Sequence, residues 1–216
     1  MVRVKICGLM AVEHAVAAAR AGADYVGVVF AASRRQVTPQ RAREIAEAVK
    51  PVNPRPDVVG VFRYSPAAEV NRLARECRLD VVQLAGDESI EYVRQMERPV
   101  IKVIHVTPQS TPAGILAQVE RWYAAMKGDS RFHCLLDTEI NGARGGTGVT
   151  FDRGIAREVA EHYPIIIAGG LNPENVADLV RDVRPWGVDV ASGVEIDGKK
   201  DTTKIEAFIR AVWNAE

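Results

Sequence analysis

The chain has 216 residues, 28 basic and 28 acidic side chains, and a formal net charge of zero. Its 47% hydrophobic and 26% charged residues suit a folded core and exclude a disordered or low-complexity chain. The balanced charge speaks against a nucleic-acid binder, and no apolar run approaches the ~18 residues of a membrane span.

Short β-branched runs alternate with Ala- and Glu/Arg-rich stretches along the whole chain. A strand over Val2–Cys7 precedes a helix over Val12–Ala21, and Tyr25–Phe30 precedes Pro39–Val49. Asp57–Phe62 leads to Pro66–Cys77, Asp80–Leu84 to Ser89–Glu97, and Val100–His105 to Pro112–Lys127. Phe132–Asp137 is followed by Phe151–Glu161, Pro164–Ala168 by Pro173–Asp182, and Val188–Ser192 by Thr203–Asn214. Thr38-Pro39, Ser65-Pro66 and Asn172-Pro173 are helix-start signals. Eight βα units in this length predict a (β/α)8 TIM barrel, one domain over residues 1–216. An open doubly wound sheet is the rival, but the count is eight and no G-x-G-x-x-G follows the first strand. Ser33–Thr38 and Glu139–Thr150 are the longest non-periodic segments, hence candidate active-site loops.

The N-terminal stretch carries Arg3, Lys5 and Glu13 and reads as no signal peptide. Cys7, Cys77 and Cys134 are odd in number and lack C-x-x-C spacing, so neither a disulfide framework nor a zinc site is expected. The compartment they imply is the reducing cytosol. The four histidines form no ligand spacing, and His105 is expected to play an ordinary role.

Alternation along the first strand puts Val2, Val4 and Ile6 on one face and Arg3, Lys5 and Cys7 on the other. The apolar face packs on helices, which turns Lys5 and Cys7 into the barrel. Cys7 then stands at the strand's C-terminal end, where barrel enzymes place catalytic groups. By position alone it is an inert buried thiol or a base that a nearby cation such as Lys5 activates. Asp137 ends the sixth strand as either a loop cap or a general acid. Gln83 is a polar group at the mouth of the fourth. Gly169-Gly170 and Ser192-Gly193 follow the seventh and eighth strands, where barrels bind phosphate through backbone N–H groups.

The stretch Lys5-Ile6-Cys7-Gly8-Leu9 resembles the first-strand signature of the phosphoribosylanthranilate isomerase family of tryptophan biosynthesis. The resemblance runs on through Ala21–Asp24, Val59–Phe62, Asp80–Leu84, Leu135–Asp137, Gly145–Gly148 with Phe151-Asp152, Ala168–Val176, Val188–Val190, Ser192–Glu195 and Lys200-Asp201. It implies a cofactor-free, metal-free Amadori rearrangement of a small phosphosugar substrate, with Cys7 as base and Asp137 as acid. It also implies that Arg35, rather than Arg34, clamps the anthranilate carboxylate, that Asp189 is a secondary site residue, and that Gly145–Gly148 forms a mobile loop. No nucleic-acid or membrane partner is implied, and monomer and homodimer both stay open. Ala85, Arg153 and Ala191 depart from the family pattern, which bears on affinity more than on reaction type. The alternatives are a different phosphosugar isomerase barrel, such as one using two aspartates, and a non-catalytic phosphosugar-binding barrel.

Overall fold

The computed structural model describes residues 1–127, 129–140, 143–144 and 153–215. Eight parallel strands form a closed barrel: β1 (Arg3–Ile6), β2 (Tyr25–Val29), β3 (Asp57–Phe62), β4 (Val81–Leu84), β5 (Val100–Val106), β6 (His133–Ile140), β8 (Ile165–Ile167) and β9 (Gly187–Val190). Short β7 (Ala143–Arg144) folds back antiparallel on β6, so the predicted seventh and eighth barrel strands are β8 and β9. Pairing of β5 with β6 and of β1 with β9 completes the ring.

The helices are α1 (Val12–Arg20), α2 (Pro39–Val49), α3 (Ala67–Glu76), α4 (Ile90–Val93), α5 (Pro112–Ala125), α6 (Arg153–Ala160), α7 (Val176–Val183) and α8 (Thr202–Trp213). Their starts follow local chemistry. Thr38 accepts a hydrogen bond from the Arg41 N–H with Pro39 at the first turn of α2, and Asp201 accepts from the Lys204 N–H at α8. Two differ from expectation. Helix α4 is cut to four residues. Gln95 and Met96 donate three residues back, to Tyr92 and Val93, and Pro99 then forces extended backbone. Helix α7 starts three residues late because Asn172 Oδ1 accepts from the N–H groups of Glu174 and Asn175, tying Pro173 into a turn.

The side-chain alternation of β1 holds. Val4 and Ile6 are fully buried between sheet and helices, worth about 1.5–3 kcal/mol each. Lys5 points inward. Inside the barrel Val59, Val81, Ile101, Val103, Leu135 and Ile166 pack together. Below them Trp186 stacks on His133 with ring centroids 3.8 Å apart. Above them a smaller apolar ring of Cys7, Val29 and Val61 opens toward the C-terminal mouth. Between β9 and α8 lies a feature that the periodicity did not predict: a one-turn 3-10 helix (Ser192–Val194), then a hairpin of β10 (Glu195–Ile196) and β11 (Lys199–Lys200). Its two-residue turn, Asp197-Gly198, has φ of 49° and 77°, the left-handed backbone that a tight hairpin requires. Among the described residues no helix is long and apolar enough to cross a membrane.

Candidate active site

A cleft of about 210 Å3 opens at the C-terminal mouth of the barrel. Cys7, Arg35, Gln83, Asp137, Gly169, Gly170, Asp189 and Ser192 all line it, so strands and loops far apart in sequence converge there. Gly193 does not line it. A Cβ at Gly193 would stand 1.8 Å from the Leu171 carbonyl oxygen, so that glycine lets the two phosphate-type turns touch. Gly145–Gly148, Phe151 and Asp152 lie outside the described residues.

Cys7 follows the last residue of β1 and its N–H donates to the Val190 carbonyl at 2.8 Å, which extends the ladder by one step. Behind it, Lys5 Nζ donates to Asp189 Oδ1 at 3.0 Å, with side chains 1% and 9% exposed. Asp189 sits directly opposite Lys5 in the β1–β9 register. Burial works against the Lys5 charge, yet Asp189 and Cys7 together hold the ammonium above its ordinary range. For Cys7 the outcome differs from the sequence expectation. Burial pushes the thiol up, Lys5 pulls it down, and Asp189 pushes it up again, so it ends above its ordinary value rather than below.

Asp137 does not end its strand; β6 runs on to Ile140, and Asp137 stands opposite His105 on β5. Likewise β5 runs past His105 to Val106. His105 lines the cleft, and its Nε2 lies 3.2 Å from the Ala85 carbonyl oxygen. Gln83 is 5% exposed, and its Oε1 has no hydrogen-bond partner among the described residues. A buried amide oxygen without a partner is costly, and this one belongs to a side chain that borders the cleft.

Arg35 comes from the loop after β2, over a glycine: a Cβ at Gly8 would stand 2.4 Å from Arg35 Cδ. Its Nε and Nη2 donate to the two carboxylate oxygens of Glu195 at 2.7 and 3.0 Å. Arg34 also reaches Glu195, at 2.8 Å, but its side chain is 60% exposed against 16% for Arg35. Arg35 lines the cleft and Arg34 does not. The first turn after β8 holds Gly169 and Gly170 at φ of 96° and 65°, conformations that side-chain-bearing residues rarely adopt. Among the described residues, no backbone carbonyl accepts from the N–H of either glycine.

Sequence reasoning missed two contributors. Gly27 on β2 makes room for the reacting end of β1: a Cβ there would lie 3.0 Å from Cys7 Sγ and 3.3 Å from Lys5 Nζ. A glycine inside an otherwise β-branched strand is the signal for such an approach. Glu195 is the second: it stands in the Ser192–Glu195 motif without a role, and the hairpin it opens joins it to Arg35. The departures are placed as well: Ala85 lines the cleft, Ala191 accepts from Lys200 Nζ at 2.6 Å, and Arg153 opens α6.

A sequence profile described as N-(5'phosphoribosyl)anthranilate (PRA) isomerase matches residues 4–211. The N-(5'-phosphoribosyl)anthranilate isomerase of Dehalococcoides mccartyi is 51% identical over 216 residues, covering 100% of this chain and 98% of the relative. The crystal structure of phosphoribosyl anthranilate isomerase from Thermotoga maritima matches with a TM-score of 0.84 at 36% identity, covering 99% of this chain and 100% of that one. A structure of phosphoribosyl anthranilate isomerase in complex with reduced 1-(o-carboxyphenylamino)-1-deoxyribulose 5-phosphate matches at 0.81 and 34% identity, with the same coverage.

Proposed function

Because the chain belongs to the N-(5'-phosphoribosyl)anthranilate isomerase family, we propose that its cleft carries out that family's Amadori rearrangement in tryptophan biosynthesis. The substrate is phosphoribosylanthranilate and the product 1-(2-carboxyphenylamino)-1-deoxyribulose 5-phosphate. The observation that carries the reading is convergence: an inward thiol, an inward carboxyl, an anchored arginine and two glycine turns border one cleft.

In this reading Asp137 gives a proton to the furanose ring oxygen, the C1–O bond breaks, and the substrate nitrogen stabilises the resulting Schiff base. Cys7 takes the C2 proton to give the enolamine. That intermediate gains a proton at C1 and loses one from the C2 hydroxyl, so the net proton count is zero. A general base and a general acid on opposite sides of one substrate suffice for such a sequence. The Gly169-Gly170 and Ser192-Gly193 turns hold the phosphate, Gln83 and Asp189 contact the sugar, and Arg35 clamps the ring carboxylate. Glu195 occupies the Nε/Nη2 edge of Arg35. A guanidinium has a second two-pronged edge, Nη1 with the outer N–H of Nη2, and that edge matches a carboxylate. Reaction through a free thiol also favours a reducing compartment, the cytosol. The same reading takes residues 1–216 as one barrel domain.

The test follows loss of anthranilate-type fluorescence when the purified protein meets phosphoribosylanthranilate, with inorganic phosphate as competitor. Turnover with competitive inhibition by phosphate is the expected result. Binding without turnover would favour a non-catalytic phosphosugar-binding barrel instead.

A further inference from the structure

Glu195 is one carboxylate among three cations. Its oxygens accept from Arg35 Nε at 2.7 Å and Nη2 at 3.0 Å, from Arg34 Nη2 at 2.8 Å and from Lys200 Nζ at 3.0 Å. The Glu195 and Lys200 side chains are only 5% and 2% exposed. Burial works against the Glu195 charge, but Arg35 and Lys200 hold its carboxyl below the usual range. The backbone around it is tied on every side. Lys200 Nζ reaches back to the Ala191 carbonyl at 2.6 Å, Lys204 Nζ to the Glu195 carbonyl at 3.3 Å, and the Asp201 N–H to the Val194 carbonyl at 2.9 Å.

We propose that Glu195 is the positioning residue that aims Arg35, and that the β10–β11 hairpin thereby sets the preference for substrates bearing a ring carboxylate. The proposal rests on the assignment of Arg35 as the carboxylate clamp. A long arginine on an irregular loop has many rotamers, and ordering it on binding costs affinity. Glu195 removes that freedom beforehand by gripping two nitrogens at once, which fixes the plane of the guanidinium and its direction. The side edge is consumed and the end edge is kept. A carboxylate needed only to stabilise the hairpin would be satisfied by Lys200, on the same hairpin. Glu195 instead also grips an arginine 160 residues away that borders the cleft. Among the described residues its carboxylate oxygens accept from three cations against a single negative charge, which suits an anionic ligand nearby.

The experiment uses the full chain and compares wild type, Glu195→Gln, Arg35→Ala and the double variant. Each is measured for kcat and KM with phosphoribosylanthranilate. Each is also measured for binding of two stable ligands, the reduced product analogue and its counterpart lacking the ring carboxylate. Glutamine keeps the size of Glu195 but presents an amide N–H₂ where an acceptor is needed. The expected result is a KM raised about tenfold or more, the loss of one hydrogen bond between charged groups, with a smaller change in kcat. Preference for the carboxylate-bearing ligand falls by the same factor. In the Arg35→Ala background, Glu195→Gln then adds little, because its effect passes through the missing arginine. If Arg35→Ala abolishes the preference while Glu195→Gln leaves it intact, Glu195 does not aim the arginine and the proposal is overturned alone. If Arg35→Ala itself leaves the preference intact, the clamp assignment is wrong and the proposal falls with it. Should Glu195→Gln not fold, Glu195→Asp, which keeps the charge but withdraws it by one methylene, reads out the same comparison.

Discussion

Two buried lysine–carboxylate pairs lie on the barrel wall and behave oppositely. Inside the barrel, Lys5 donates to Asp189 and shares its field with the Cys7 thiol. Outside it, Lys102 on β5 donates to Glu88 at 3.2 Å and to the carbonyls of Gly86 at 2.6 Å, Val103 at 3.0 Å and Leu84 at 3.4 Å. Burial lowers the Lys102 pKa despite Glu88, whereas Asp189 and Cys7 raise that of Lys5 in spite of burial. The Lys102 pair is an anchor. It fixes the loop after β4, whose Ala85 borders the cleft, through three backbone carbonyls and Glu88. The Lys5 pair faces reacting groups, and its electrostatics are part of the chemistry. Residue type and burial alone therefore do not distinguish a catalytic environment from a scaffold; what else touches the nitrogen does.

The largest expected effect removes what makes the two pairs different. Cys7→Ser lowers kcat about 10²–10⁴-fold, because a hydroxyl is a far poorer base than a thiolate, and Asp137→Asn costs a similar factor. Single-turnover kinetics check both. Near-normal kcat in Cys7→Ser, with chemistry rate-limiting, would sink the acid–base assignment.

Breaking either pair by removing its carboxylate leaves a buried lysine without its counter-ion. Asp189→Ala and Glu88→Ala should each cost about 3–5 kcal/mol in urea denaturation. The comparison sharpens when a titration is read as well. Alkylation of Cys7 requires the thiolate, so its rate rises with pH through a midpoint above the ordinary thiol value. Asp189 is one of the groups raising that midpoint, so Asp189→Asn moves it down, while Glu88→Gln does not move it. An equal shift in both variants would mean that the two lysine pairs are electrostatically equivalent. In turnover the same sign gives a kcat/KM that falls as pH drops and Cys7 stays protonated.

A smaller contrast separates the two adjacent arginines. Arg35→Ala weakens substrate binding by about 2–4 kcal/mol, as a partly buried charge-assisted pair. Arg34→Ala, on an exposed side chain, changes it by under about 1 kcal/mol. Affinity for the reduced product analogue measures both, and the reverse ranking would show that the clamp is Arg34.

Much of this was legible in the sequence because it is local. Apolar alternation in Val2–Cys7 is a two-residue period, and it correctly turned Lys5 and Cys7 inward. Eight alternating βα signals specified the barrel. What was not legible is long-range. Nothing near Asp189 announces Lys5, 184 residues away, and nothing near Glu195 announces Arg35. The state of Cys7 followed from the same gap: Lys5 does lower the thiol pKa, but burial, joined by an aspartate from the far end of the chain, outweighs it. The β10–β11 hairpin was missed because two-residue strands carry no period, although Asp197-Gly198 is a turn signal. Helix α4 is shorter than its propensity pattern because Gln95 and Met96 turn to bonds three residues back, a local tightening that periodicity does not register.

The β1–β9 pairing has a consequence for how the protein is made. Arg3 and Ile6 pair with Gly187 and Val190, so β1, the earliest barrel strand in chain order, has its second edge covered only once β9, the latest, is in place. The hydrogen bond from the Cys7 N–H goes to Val190, and the groups that hold Lys5 and Arg35 are Asp189 and Glu195. The carboxylates that grip Lys5 and Arg35 thus come from 184 and 160 residues further along the chain. A chain synthesised only as far as β8 carries the thiol and the arginine but lacks Asp189, Val190 and Glu195, so full ordering of the site waits until synthesis has passed Glu195.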